Sequence, residues 1–253
     1  MFSKIKYEIF KRPLELSKTH DFCESKSPKL TVVFVHGIAA TSASFKNTLD
    51  YLEGTRSMQD VRFVTFDLLG AGKSYTSDRL EYNFDEQLTA LENSIKKLHA
   101  KTPLVLVGHS MGTMIATRYA AAHKKEVREL ILVSPPIYRA EDIKSPAFAQ
   151  AMIGFREVMK QKNREAIKSK AFNNEIKNIV SNTKNYDFLV KTTKPTTLIF
   201  GDKDLIIATF NIPKLLKENS KVRAIKTSGT HGVSRDKYTK ILPELERILN
   251  ETL

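Results

Sequence analysis

The sequence predicts an α/β chain built on a mostly parallel central sheet with helices on both faces. Three observations carry this. Short apolar, β-branched runs alternate with helical patterns along the chain, which calls for crossover connections between parallel strands. The runs are continuous rather than alternating, as in LTVVFV at Leu30–Val35, the pattern of strands covered on both faces. A length of 253 residues with 41% hydrophobic content suffices for one large core and argues against a disordered chain.

Taken in order, residues 4–10 and 13–18 read as two short strands paired as a hairpin. Leu30–Val35 is a buried strand, Ser44–Glu53 a helix and Val61–Phe66 the next strand. Over Asp85–Ala100 the residues Leu88, Leu91, Ile95 and Leu98 recur at helical spacing. Leu104–Val107 is a strand, Met111–His123 a helix rich in small residues, and Leu130–Val133 a strand stopped by Pro135 and Pro136. Thr197–Phe200 and Val222–Ile225 are two more strands. Tyr238–Leu249 reads as a closing helix, with Pro243 an irregularity inside it. Residues 137–194 break the alternation. Phe148, Met152, Phe155 and Met159 fall on one helix face, and a second apolar patch runs from Ile167 through Ala171 and Phe172 to Ile176, Ile179 and Val180. The expected division is a core of 1–136 and 195–253, with 137–194 inserted as a helical cap.

Composition narrows the setting. The net charge is +13, but the lysines are spread along the whole chain and no nucleic-acid motif is present. The charge fits a solvated basic surface, with peripheral attraction to anionic membranes or anionic substrates as the second reading and nucleic acid as no partner. Cys23 is the one cysteine, so no internal disulfide forms. The nearby carboxylates of Asp21 and Glu24 should raise its thiol pKa and keep it unreactive. The opening MFSKIKYEIFKRPLEL is interrupted by charge every few residues and lacks the apolar core of a signal peptide. No apolar run reaches membrane-spanning length. The expectation is a cytoplasmic protein.

In open parallel sheets ligands bind beyond the carboxyl ends of the strands, so the residues just after each strand carry the functional signal. Gly108-His109-Ser110-Met111-Gly112 lies between the LVLV strand and the small-residue helix. This is a nucleophile elbow: the serine sits on a sharp, strained turn, and side chains two residues to either side would crowd it. The following helix aims its positive end at the site. His36-Gly37-Ile38 follows the strand LTVVFV, Gly201-Asp202-Lys203-Asp204 follows TTLIF, and Gly229-Thr230-His231 comes soon after VRAI. A serine hydroxyl needs a base to take its proton, and His231 supplies one. Gly70-Ala71-Gly72-Lys73-Ser74 imitates the end of a phosphate-binding loop, but that motif needs glycine at position 67 and the residue is Asp67. His99 and His123 sit at helix ends, His20 lies in a loop and His109 fills the variable elbow position. None has metal-ligand spacing, and no metal or cofactor is called for.

The order of these pieces resembles the α/β-hydrolase superfamily, and specifically a serine esterase or lipase-like member with a helical cap. The resemblance covers essentially the whole chain. The N-terminal strands, HG loop, DLLGAGKS segment, elbow, insertion, GDKD and final histidine come in family order. It implies an α/β-hydrolase fold and a Ser110, Asp204, His231 triad, the acid being placed by the family's G-x-x-D pattern. It also implies an oxyanion hole made by the backbone N–H groups of Ile38 and Met111, and a structural role for His36. Asp202 would cap its turn, and Glu141 or Asp142 matches a rarer placement of the acid. Two departures stand out: Leu205-Ile206-Ile207-Ala208 where many members carry a proline, and Gly232 after the histidine in place of a large residue. Neither removes a catalytic group.

Serine at the elbow, where epoxide hydrolases and dehalogenases of this superfamily use aspartate, points to acyl transfer through an acyl-enzyme. The expected activity is carboxylic ester hydrolysis on a small molecule with an apolar acyl or aromatic part. Thioesterase, C–C bond hydrolase, perhydrolase and acyltransferase chemistry would use the same triad, and a non-catalytic binder would share only the fold. Phe148, Met152 and Phe155 are the candidate pocket residues, lent by cap helices that also pack on the core.

Overall fold

The computed structural model describes residues 13–162, 168–181, 184–231 and 241–253. Seven strands form one sheet: β1 (Ser17–Phe22), β2 (Leu30–Val35), β3 (Val61–Asp67), β4 (Leu104–His109), β5 (Val127–Val133), β6 (Thr196–Gly201) and β7 (Val222–Thr227). Their spatial order is β1-β3-β2-β4-β5-β6-β7. β1 runs antiparallel to β3 and every other pairing is parallel. The predicted fold class holds.

Strand residues alternate between two apolar layers, which is why the runs had to be continuous. Val33, Val35, Leu104, Leu106, Leu130 and Leu132 pack into one core cluster, while Val32, Phe34, Val105, Val107, Ile131 and Val133 pack into the other. The first layer is closed by α2 (Phe84–Lys96), α3 (Met111–Ala122) and α7 (Ile212–Glu218), through residues such as Leu91, Ile95, Met114, Ile115 and Leu215. The second is closed by α1 (Lys46–Glu53) and α8 (Leu242–Thr252), through Leu49, Leu52, Leu245 and Ile248. Each fully buried aliphatic side chain contributes roughly 1.5–3 kcal/mol.

The N-terminal expectation needs correction. Residues 13–16 are irregular and the strand is Ser17–Phe22. Leu14 and Leu16 are buried, but their backbone bonds to side chains of α2 rather than to a strand. Leu16 N–H donates to Ser94 Oγ at 2.7 Å and the Leu14 carbonyl accepts from Asn93 Nδ2 at 2.9 Å. The strand expected at 4–10 lies outside the described residues. Pro243 is no flaw either: α8 begins at Leu242, so the proline occupies the first turn, where its missing N–H leaves no bond unmade. Residues 238–240 lie outside the described residues. Elsewhere the bounds move by a few residues. The helix expected from Asp85 ends at Lys96, and the one expected from Ser44 opens with a 3₁₀ turn at Ser42–Phe45.

Between β5 and β6 the described residues form no strand. They hold α4 (Pro146–Lys162), α5 (Lys170–Glu175), a π-helical turn at Ile176–Val180 and α6 (Asn185–Val190). Phe155 and Phe172 stack between α4 and α5 with ring centroids 6.5 Å apart. Ile167 lies outside the described residues. The end of the segment is fastened to the body of the protein. Arg118 on α3 lies between the rings of Phe84 and Phe188, 3.7 and 4.5 Å from their centroids, and Asn185 Nδ2 donates to the Pro136 carbonyl at 2.6 Å. No helix among the described residues is long and apolar enough to cross a membrane.

Candidate active site

Ser110 connects the last residue of β4 to the first of α3, with φ 50° and ψ −119°. A non-glycine residue there is strained, and such strain persists only where the surroundings impose it. The flanking glycines are part of that imposition. A Cβ on Gly112 would stand 2.1 Å from the Val35 carbonyl oxygen, and one on Gly108 would stand 2.7 Å from Thr113 Cα. Close approach of strand β2, strand β4 and helix α3 is therefore what the elbow glycines permit.

Three of the residues singled out from sequence meet at the carboxyl edge of the sheet. Ser110 Oγ is 3.0 Å from His231 Nε2. His231 Nδ1 lies 3.0 Å from Asp204 Oδ2 and 3.2 Å from Oδ1. Asp204 is buried, and Ile206 N–H donates to its Oδ1 at 3.0 Å. Burial alone would raise its pKa. The His231 hydrogen bond and charge, with the Ile206 N–H, outweigh it and hold the carboxyl below its ordinary value. An ionised Asp204 accepting from Nδ1–H leaves Nε2 free to take a proton from Ser110.

Asp202 does something different from Asp204. It is exposed, and its Oδ1 accepts from Gly229 N–H at 2.9 Å. That bond, the Lys203 N–H to Gly229 carbonyl bond at 2.8 Å and the Asp202 N–H to Thr227 carbonyl bond at 2.8 Å tie the loop carrying Asp204 to the loop carrying His231. Asp202 thus caps chiefly across to its neighbour, with its own backbone N–H adding a smaller contribution. Asp142 is engaged elsewhere, accepting from Arg139 N–H and Asn211 Nδ2.

Ser110 opens on an apolar cavity of about 20 Å³ lined by Ile38, Met111, Pro136, Tyr138, Phe148, Met152, Phe155, Val180 and Ile206. All three pocket residues expected from the helical spacing are there, as are both expected oxyanion donors. Met111 opens α3, so its N–H has no acceptor within the helix. Tyr138 was missed, although it follows a strand end closely. Its hydroxyl donates to the Ile206 carbonyl at 2.6 Å and its ring meets Phe148 edge-on.

His36 is structural: Nδ1 donates to the Gly37 carbonyl at 2.8 Å and Nε2 accepts from Leu68 N–H at 2.9 Å. Burial keeps it neutral by lowering its pKa. The GAGKS turn folds around Asp67, whose carboxylate accepts from Ser42 N–H and Lys73 N–H. The Lys73 N–H is one that a phosphate in this turn would need. The Cys23 thiol is pushed up, chiefly by burial and then by Asp60 and Asp21.

The pattern of the alpha/beta hydrolase fold family matches residues 31–185. The chain is 34% identical over 119 residues to the "Probable lysophospholipase BODYGUARD 5" of Arabidopsis thaliana, covering 47% of this chain and 27% of that protein. It is 30% identical over 106 residues to the "(Lyso)-N-acylphosphatidylethanolamine lipase" of Mus musculus, covering 41% of this chain and 30% of that protein. The matches thus span little more than a quarter of these relatives' length. Among solved structures, the esterase EaEST from Exiguobacterium antarcticum superposes with a TM-score of 0.69 at 19% identity, covering 91% of this chain and 94% of that one. Sheet order, elbow and sequence match agree: the chain belongs to the alpha/beta hydrolase fold family.

Proposed function

We propose that the protein is a serine hydrolase that cleaves a carboxylic ester through an acyl-enzyme. The observation that carries this is the hydrogen-bonded series Ser110, His231, Asp204, with the serine exposed to a cavity on a strained elbow. Ser110 Oγ attacks the ester carbonyl while His231 Nε2 takes its proton. Asp204 holds the ring's tautomer and stabilises the imidazolium. The Ile38 and Met111 N–H groups receive the negative charge on the carbonyl oxygen. His231 returns the proton to the departing alcohol, then activates a water that releases the acid and restores Ser110.

The acyl part lies among Phe148, Met152, Phe155 and Tyr138. A cavity of about 20 Å³ holds little more than one water, so residues 137–194 act as a cap that moves aside to admit substrate. The words lysophospholipase and lipase in the relatives' names support an ester with an apolar chain. The substrate is read as a small molecule, and the setting as the cytoplasm.

A fluorophosphonate probe tests the nucleophile. It should label Ser110 in the wild type and nothing in Ser110→Ala, which should also lose about 10⁶ in kcat on a p-nitrophenyl ester. Labelling that survives the substitution overturns the assignment.

A further inference from the structure

A second cavity, of about 160 Å³, lies beside the loop that carries Ile38. Gly37, Ala40, Thr41, Ala171, Phe172 and Glu175 are among the residues that line it. Two of its lining residues pack against residues of the Ser110 site. A Cβ on Gly37 would sit 3.1 Å from Ser110 Cβ. Phe172 stacks on Phe155, which lines the cavity at Ser110. The two spaces therefore lie close to one another, divided by Gly37 and Phe172, one apolar and one containing a carboxyl group.

That carboxyl, Glu175, is 6% exposed. Among the described residues its one hydrogen-bond donor is Gln87 Nε2, at a long 3.3 Å. Gln87 itself is committed to Leu69, accepting from its N–H at 3.0 Å and donating to its carbonyl at 3.1 Å. Burial leaves Glu175 protonated up to about pH 8. A carboxyl that lines the cavity and is bonded once keeps hydrogen-bonding capacity for a ligand there.

Resting on the ester-hydrolase reading, we propose that this chamber receives the alcohol part of the substrate, a small neutral polyol, and that Glu175 is the residue that recognises its hydroxyl groups. A hydroxyl both donates and accepts, and so does a neutral carboxyl. A cationic alcohol would need the carboxylate, which burial disfavours, and would approach a chain of net charge +13. The volume is several times that of the cavity at Ser110, room for a small polyol. The substrate class is then an amphiphilic monoester: an apolar acyl chain on one side of Ser110 and a glycerol-like alcohol on the other.

The test compares one acyl chain presented as its glycerol monoester, its propyl ester, its 2-aminoethyl ester and its p-nitrophenyl ester. The readout is the ratio of kcat/KM for the glycerol ester to that for the propyl ester. Sites built around a hydroxyl reject the analogue lacking it strongly. The wild-type ratio should therefore be at least ~10, Glu175→Leu should bring it close to ~1, and Glu175→Gln should keep most of it. Should Glu175→Leu fail to fold, Ala40→Leu fills the chamber from the loop wall and should lower the ratio likewise. A wild type that cleaves the p-nitrophenyl ester with a ratio near ~1, or a ratio unmoved by these substitutions, overturns the polyol chamber alone. Preference for the aminoethyl ester overturns the neutral-polyol assignment. A wild type that cleaves none of the four overturns the underlying reading of Ser110.

Discussion

Replacing Glu175 by glutamine should stabilise the protein in alkali and leave it nearly unchanged in acid. The carboxyl is buried with one long hydrogen bond, and that burial pushes its pKa from 4.5 up to about 8. In the unfolded chain the same group ionises at its ordinary value. Between the two values the folded state holds a proton that the unfolded state has lost, so stability falls as pH rises. Below 4.5 both states are protonated and nothing is lost; above about 8 both are ionised and the loss is complete. At ~1.4 kcal/mol per pKa unit the full loss is on the order of 5 kcal/mol. Relaxation and water around the ionised group reduce it, so a measured loss of ~2–5 kcal/mol is expected. Glutamine keeps the shape and the Gln87 contact but cannot ionise. Tyr82 is raised above 10.0 chiefly by burial, with Asp78, Glu175 and Glu86 adding to it, so it stays neutral at both pH values below. Urea unfolding at about pH 5 and about pH 9 measures the difference, which should widen by that ~2–5 kcal/mol in favour of Glu175→Gln. A difference constant to within ~0.5 kcal/mol would refute the burial argument, and with it the neutral carboxyl in the chamber.

Two further substitutions separate the roles of neighbouring residues. Asp204→Asn should fold normally yet lose on the order of 10⁴ in kcat on a p-nitrophenyl ester, because the amide favours the wrong histidine tautomer. Asp202→Asn keeps an oxygen that can accept from Gly229 N–H and should cost far less; the reverse order would make Asp202 the acid. Phe148→Ala, Met152→Ala and Phe155→Ala should each shift the preferred acyl length across a series of p-nitrophenyl esters. A methylene is worth about 1–3 kcal/mol in such a pocket, so the shifts should be modest. A length profile identical to wild type in all three would remove them from the acyl pocket.

What could be read from sequence, and what could not, divides by the range of the information. Leu30–Val35 and Leu104–Val107 were legible because a strand covered on both faces must be apolar at every position, a local signal. Ser110, Asp204 and His231 were legible because each follows a strand end, and the sheet's topology brings those ends together without further information. Leu14 and Leu16 misled for the converse reason. Their alternation reports burial, and burial is not strand pairing when the backbone finds its partners on Ser94 and Asn93. Glu175 is the extreme case. It stands in KAFNNEIKN, where a charged residue among asparagines and lysines reads as a solvated helix surface. Only the packing of α5 against Gln87, 88 residues away in sequence, turns it inward. No periodicity within the segment encodes that partner. Residues buried by such contacts in segments that read as surface are therefore the ones to test for substrate recognition, beginning with Glu175.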